Sequence, residues 1–194
     1  MQNEKENFIF GNLWAEGLVV LKEQRIIYIN DAITSKLAVG FNLSILEMER
    51  EDSESDITVY INSPGGDVTA GLSIIDTMST ISCDVRTICV GMAASMGALI
   101  LMCGTKGKRE ILPHSYVLIH QILAGLGNGL MQASDIEIFS ATLTKRKRAL
   151  SELIAECTGQ PIEKVIQDCE RDYTLCSSEA LDYGIVDKII EKHK

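Results

Sequence analysis

The residue most suited to chemistry is a serine on a turn of small side chains. Ser95 stands in Gly91-Met92-Ala93-Ala94-Ser95-Met96-Gly97, where an apolar strand-like run passes into a helix-like one. A serine hydroxyl needs a base within hydrogen-bond reach and a scaffold that leaves Oγ exposed. The alanines and glycines supply that scaffold, although the same pattern also serves close packing. Of the three histidines, His193 lies in a polar tail and His114 follows Pro113, whereas His120 closes the run Tyr116-Val117-Leu118-Ile119. An imidazole at the end of a buried strand points into the cleft where α/β enzymes place their chemistry. A third member would be a carboxylate holding the imidazole's tautomer. Asp168, Glu170 and Asp172 are all candidates, and spacing does not choose among them. An oxyanion requires two preorganised donors, each worth about 3 kcal/mol of transition-state stabilisation. Ser63-Pro64-Gly65-Gly66 would put unhindered N–H groups between a strand and a helix.

Several elements must position these groups. Arg25 to Ile29 reads as a strand, closed by Asn30-Asp31 as a helix N-cap pair. Ile33, Leu37, Phe41, Ile45 and Met48 then mark an amphipathic helix, followed by an acidic connector from Glu49 to Asp56. Ile57 to Ile61 is a second strand, Val68 to Thr80 a helix, Val85 to Val90 a third strand and Tyr116 to His120 a further one. Lys106-Gly107-Lys108-Arg109 reads as a turn. A long helix spans about Ser134 to Glu156 and closes at Thr158-Gly159-Gln160-Pro161. Strands with continuous apolar runs, alternating with helices, predict an α/β protein whose sheet is covered on both faces.

Composition narrows the function. At 194 residues the chain suits one domain, and 46% apolar with 23% charged residues is ordinary for a globular protein. A net charge of -9 argues against nucleic acid, whose phosphates require a cationic surface. The basic run Lys145-Arg146-Lys147-Arg148 reads as a solvated helix face. Six cysteines show no CxxC pair and no histidine at zinc-ligand spacing, so no metal is expected, and they read as buried free thiols of a reducing cytosol. The polar, acidic N-terminus is unlike a secretory signal. Thr87 to Thr105 is uncharged but broken by glycines, and reads as a buried strand entering a buried helix rather than a membrane span. The glycines of Ile122 to Leu130 are spaced GxGxG, which does not make a phosphate loop.

The sequence resembles the proteolytic subunit of the Clp protease, a family of serine peptidases with the crotonase-like fold. The likeness rests on Tyr60-Ile61-Asn62-Ser63-Pro64-Gly65-Gly66, Ala70-Gly71, Asp76-Thr77-Met78, Gly91 to Leu99, Ile119-His120-Gln121, Ala133 to Ile138, Thr158-Gly159-Gln160, Glu170-Arg171-Asp172, Glu179-Ala180 and Tyr183-Gly184, in the family's order. It implies one domain over 1–194, an α/β fold of repeated β-β-α units with a protruding handle spanning 122–156. By the same resemblance Ser95 is the nucleophile, His120 the base and Asp172 the third member. Gly66 and Met96 would give the oxyanion N–H groups, and Gly65, Gly125, Leu126 and Gly127 would contact an extended peptide.

The resemblance further implies two stacked seven-membered rings in the cytoplasm, enclosing the sites and fed with unfolded polypeptide by an AAA+ unfoldase. ATP would be used by that partner, with no cofactor in this subunit. Tyr60 would belong to the unfoldase docking pocket, but Thr58 and Thr80 stand where the family has aromatic residues. The stretch after His120 has Ile122 in place of proline and a longer loop, and residues 1–20 depart from the usual gate segment. These departures suggest a divergent paralogue that either needs a more typical Clp peptidase as partner subunit to bind an unfoldase or uses an unusual unfoldase. Two other readings compete: a non-catalytic or partner-dependent regulatory ring subunit, and a crotonase-type acyl-CoA enzyme, which would typically rely on glutamates.

Overall fold

A computed structural model describes residues 17–125 and 132–191. The chain begins with β1 (Leu18–Leu21), which turns through a 3-10 segment into β2 (Ile26–Ile29). α1 (Ser35–Glu51) follows, then β3 (Ile57–Ser63), α2 (Val68–Thr80), β4 (Val85–Ala94) and α3 (Met96–Met102). Two short strands, β5 (Arg109–Ile111) and β6 (Tyr116–Ile119), lead to the long α4 (Ala133–Thr158). The chain closes with α5 (Ile162–Asp168), β7 (Tyr173–Cys176), α6 (Ser177–Tyr183) and β8 (Lys188–Ile189). The class is α/β, as the alternating apolar runs imply.

The sheet is mainly parallel and runs β1-β2-β3-β4-β5-β8, with β6 joined to β4 and β7 to β6. The branch lies within β4. Thr87–Cys89 pair with Arg109–Ile111, whereas Met92–Ala94 pair with Tyr116–Leu118. Between them the Gly91 N–H donates to Ser115 Oγ at 2.7 Å, where the second ladder takes over from the first.

Apolar spacing decides which helix faces are buried. In α1, Leu37, Phe41, Ile45 and Met48 lie on the sheet, each such burial contributing roughly 1.5–3 kcal/mol. Its N-cap is Thr34, whose side chain accepts from the Leu37 N–H at 3.1 Å, and not the Asn30-Asp31 pair. Both of those polar groups are otherwise engaged, Asp31 by the Ala32 N–H and Asn30 by Asn62. Ile33 precedes the helix and bridges to Gly66. α2 starts and ends at the residues its spacing predicts, with Asp67 accepting from the Ala70 N–H at 2.7 Å. Arg109 is no turn residue. It opens β5, is 3% exposed, and pairs with Asp187 at 2.7 Å.

Among the described residues, helices do not cover both faces of the sheet throughout. In β3, Ile57, Val59, Ile61 and Ser63 are buried while Thr58, Tyr60 and Asn62 are half-buried. On that side Tyr28 and Tyr60 stack at 5.8 Å within a groove of about 470 Å³ that also includes Val19, Leu21 and Ile26. All seven residues of α3 are buried, and no helix of the described residues is long and apolar enough to cross a membrane. By contrast α4, about 39 Å long at 1.5 Å per residue, buries only Ser151 and Ile154. Its N-terminal turns therefore stand free of the chain's own core.

Candidate active site

The strand ladder brings the three sequence-predicted groups to one edge. Ala94 pairs with Leu118 in the parallel β4–β6 ladder, so Ser95 and Ile119 leave the sheet side by side, with His120 one residue on. Ile119 pairs with Tyr173 in the antiparallel β6–β7 ladder. Extending that register by one step sets His120 opposite Asp172. Asp168 lies instead at the end of α5, bonded to Lys164 and to the Tyr183 hydroxyl, and Glu170 pairs with Lys147 at 2.8 Å. Of the three carboxylates, the pairing pattern favours Asp172.

Ser95 is held by its backbone. It has φ 54 and ψ -120, a conformation that costs a non-glycine residue about 1–3 kcal/mol. Three contacts pay for it: its N–H donates to Leu118 O at 2.8 Å, the fully buried α3 follows, and Gly65 presses against it. A Cβ on Gly65, whose φ is +92, would stand 2.6 Å from Ser95 Cβ and 2.7 Å from Ala94 O. Gly65 thus supports the serine turn and does not line the adjoining cleft. Ser63, fully buried, donates to Asp31 O at 2.7 Å and accepts from the Gly65 N–H at 3.1 Å, which fixes the turn in front of the serine.

The N–H groups of Gly66 and Met96 have no acceptor among the described residues. Gly66 is required by close approach, since a Cβ there would lie 2.3 Å from Ile33 O. Both residues line a cleft of about 270 Å³ together with Ser95 and His120. Its walls are largely apolar, from Val68, Leu99, Ile119, Leu150 and Ile154, and no carboxylate lines it among the described residues.

His120 is half-buried, and its Nδ1 lies 2.6 Å from Gln121 O. A carbonyl only accepts, so Nδ1 carries a proton, and in the neutral imidazole this contact leaves the lone pair on Nε2. Among the described residues no hydrogen bond joins His120 to Ser95 or to Asp172. Asp172 is exposed and shares with His120 a second hollow of about 390 Å³ beside the cleft.

The basic run on α4 is not uniformly solvated. Lys147 reaches the cleft wall and Glu170, whose carboxyl it holds below the ordinary carboxylate range. Gln121 donates to Glu170 O at 3.0 Å, tying the segment after His120 to the same place. Lys147, Ser151 and Cys169 line the cleft, although the sequence marks Lys147 only as part of a solvated basic run, Cys169 only as a buried thiol, and Ser151 not at all. Only the periodicity of α4, which turns Lys147, Leu150, Ser151 and Ile154 to one side, carried that signal. Gly125 is described and exposed, while Leu126 and Gly127 lie outside the described residues. Thr58 is half-buried on the Tyr60 face, and the Thr80 hydroxyl donates to Thr77 O at 2.9 Å.

The sheet branches within one strand and brings a strained serine, a histidine and an aspartate to adjoining strand ends on an α/β scaffold. The family model described as Clp protease matches residues 11–193, and the chain belongs to that family. It is 47% identical over 174 residues to the ATP-dependent Clp protease proteolytic subunit 2 of Chlamydia muridarum, an alignment covering 90% of this chain and 84% of that one. Identity to the Chlamydia pneumoniae protein of the same description is 45% over the same shares. It is also 45% to a proteolytic subunit 1 from Chlamydia felis, again over 90% and 84%.

Proposed function

We propose that the chain is a serine endopeptidase of the Clp type, cutting unfolded polypeptide in the cytoplasm. The observation that carries this reading is the strand register that sets Ser95, His120 and Asp172 at one edge beside two N–H groups with no acceptor among the described residues. Ser95 Oγ attacks the scissile carbonyl while His120 Nε2 takes its proton, and the same nitrogen later returns a proton to the leaving amine. Asp172 stabilises the imidazolium formed between these steps. The N–H groups of Gly66 and Met96 receive the oxyanion. The apolar cleft accepts a side chain of the substrate, and the peptide backbone adds as a strand along the segment after His120 that includes Gly125, Leu126 and Gly127. None of these steps needs a cofactor or a metal.

In this reading the chain forms seven-membered rings, two of which stack through α4, and an AAA+ unfoldase spends ATP to deliver substrate. The stacked Tyr28 and Tyr60 in their apolar groove are the surface suited to that partner. An acyl-CoA enzyme relying on glutamates is disfavoured because, among the described residues, no carboxylate lines the cleft.

A second reading has one observation in its favour. His120 Nδ1 is bonded to Gln121 O and not to Asp172, as fits a subunit whose site closes only in company with a second Clp peptidase. A fluorophosphonate probe separates the readings. Labelling of Ser95 in the protein alone, abolished in Ser95→Ala, supports the self-sufficient peptidase. Labelling that requires an added Clp peptidase supports the partner-dependent one. Hydrolysis of short fluorogenic peptides by the mixture that survives Ser95→Ala would leave this chain a regulatory role alone.

A further inference from the structure

Six cysteines stand in the sequence, and the fold brings two of them together across a span of 54 residues. Cys103 closes α3, the helix that Ser95 opens, and Cys157 lies in the last turn of α4. Their Sγ atoms are 3.5 Å apart, and both residues are half-buried. A disulfide needs about 2.05 Å, so the two sulfurs stand within about 1.5 Å of bonding distance.

The approach is braced. Arg109 Nη1 donates to Met102 O at 3.2 Å and to Cys157 O at 2.8 Å, gripping the residue before one thiol and the backbone of the other. Asp187 fixes that guanidinium through Nε and Nη2 at 2.9 and 2.7 Å. An ion pair with a buried guanidinium and a half-buried carboxylate therefore holds the ends of two helices, and with them two thiols, in register.

We propose that Cys103 and Cys157 form a reversible dithiol–disulfide site for hydroperoxides, which staples the end of α3 to the base of α4. This goes beyond the peptidase reading and does not depend on it. The Cys157 sulfur attacks the peroxide O–O bond and becomes a sulfenic acid, while the peroxide leaves as water. The Cys103 sulfur then attacks Cys157 Sγ, forming the S–S bond and expelling a second water. In sum two thiols lose two hydrogens and one hydrogen peroxide is reduced to two waters. An external dithiol reverses the change.

Chemistry also sets the order of attack. The hydrogen bond with Cys103 holds the Cys157 thiol below its ordinary range; burial opposes this, and the Arg109 guanidinium adds to the lowering. The thiolate is the nucleophile, so Cys157 reacts first and Cys103 resolves. Elsewhere burial pushes Cys83 and Cys169 up to about 11 and Cys89 up to about 12. Cys176 is exposed, bonded through its sulfur to Ser178 Oγ.

The test is treatment of the whole protein with graded hydrogen peroxide, followed by alkylation of the remaining thiols and peptide mapping without reduction. The expected result is an intrachain Cys103–Cys157 link that dithiothreitol removes. In Cys103→Ser, dimedone should trap a sulfenic acid on Cys157, while Cys157→Ser should leave Cys103 alkylatable at the same dose. The proposal is overturned if wild-type Cys103 and Cys157 stay alkylatable at a dose that oxidises Cys176. A link between two chains, or to any other cysteine, overturns it equally. Because the wild-type map is decisive by itself, a variant that fails to fold does not leave the matter open.

Discussion

The two halves of the candidate site are held in different ways. On the serine side nearly everything is backbone. Ser95 is fixed by its N–H bond to Leu118 O, by Gly65 packed against it, and by a helix with no exposed residue. On the histidine side the determinants are side chains and a connecting segment: His120 is turned to Gln121 O, Asp172 is exposed, and Gln121 is anchored to Glu170 O. A backbone-built half has one conformation, because moving it breaks packing and ladder together. A side-chain-built half has rotamers separated by modest energies. The nucleophile is thus set by folding, and the base is the part that a neighbouring subunit or a bound peptide could reorient.

Asp172→Asn is the strongest way to break this comparison. The Gln121 carbonyl already selects the Nε2-basic tautomer, so if tautomer choice were all that mattered the variant would keep its rate. A neutral carbonyl does not stabilise an imidazolium as a carboxylate does. The expected loss is therefore roughly 10²- to 10³-fold in peptide turnover, the scale of one lost electrostatic partner in the transition state, with the fold unchanged by circular dichroism. Near-wild-type turnover would remove Asp172 from the site.

Gly65→Ala attacks the other half. The added methyl would meet Ala94 O and Met96 N at 2.7 and 3.0 Å in a left-handed conformation, and those backbone atoms have no room to retreat. Strain of about 1–3 kcal/mol is expected, together with at least a roughly hundredfold loss of fluorophosphonate labelling from displacement of Ser95. Labelling at the wild-type rate would show that the serine turn is softer than its contacts indicate.

The two halves were also unequally legible in the sequence. Small residues around Ser95 and the apolar run before His120 are local signals, and the spacing over Val68–Thr80 matched α2 to the residue. Asp172 had no such signal. The strand it precedes, β7, shows three exposed residues of four, and what distinguishes Asp172 from Asp168 and Glu170 is its place one step beyond an antiparallel register with a strand some fifty residues away. From the residues alone the choice stayed open, and the family resemblance made it. Arg109 misled because its turn-like neighbours hide that it is buried against a partner, Asp187, 78 positions on. Asn30 and Asp31 misled because capping residues are equally good at binding one another's loops, as Asn30 does with Asn62. Nor did spacing link Cys103 with Cys157, whose sulfurs meet only through the docking of α4 on α3.

The smallest expected effect concerns the tether of the histidine side. Lys147 and Glu170 are partly exposed, at 29% and 60% of their side-chain surface, and such pairs are weak and screened by salt. The Glu170 carboxyl is held below its ordinary value by Lys147, so whatever the pair contributes to stability is full above the unfolded carboxyl's pKa of about 4.3. It is lost as pH falls through the lowered folded value. Urea midpoints of wild type and Glu170→Gln should therefore differ slightly at neutral pH and low salt, and converge in molar salt or in acid. Peptide turnover at neutral pH should change a few-fold at most, because Gln121 still donates to the backbone carbonyl of residue 170. A loss approaching that of Asp172→Asn would mean that the histidine side depends on this ion pair, and that the site's adjustable half is governed from α4.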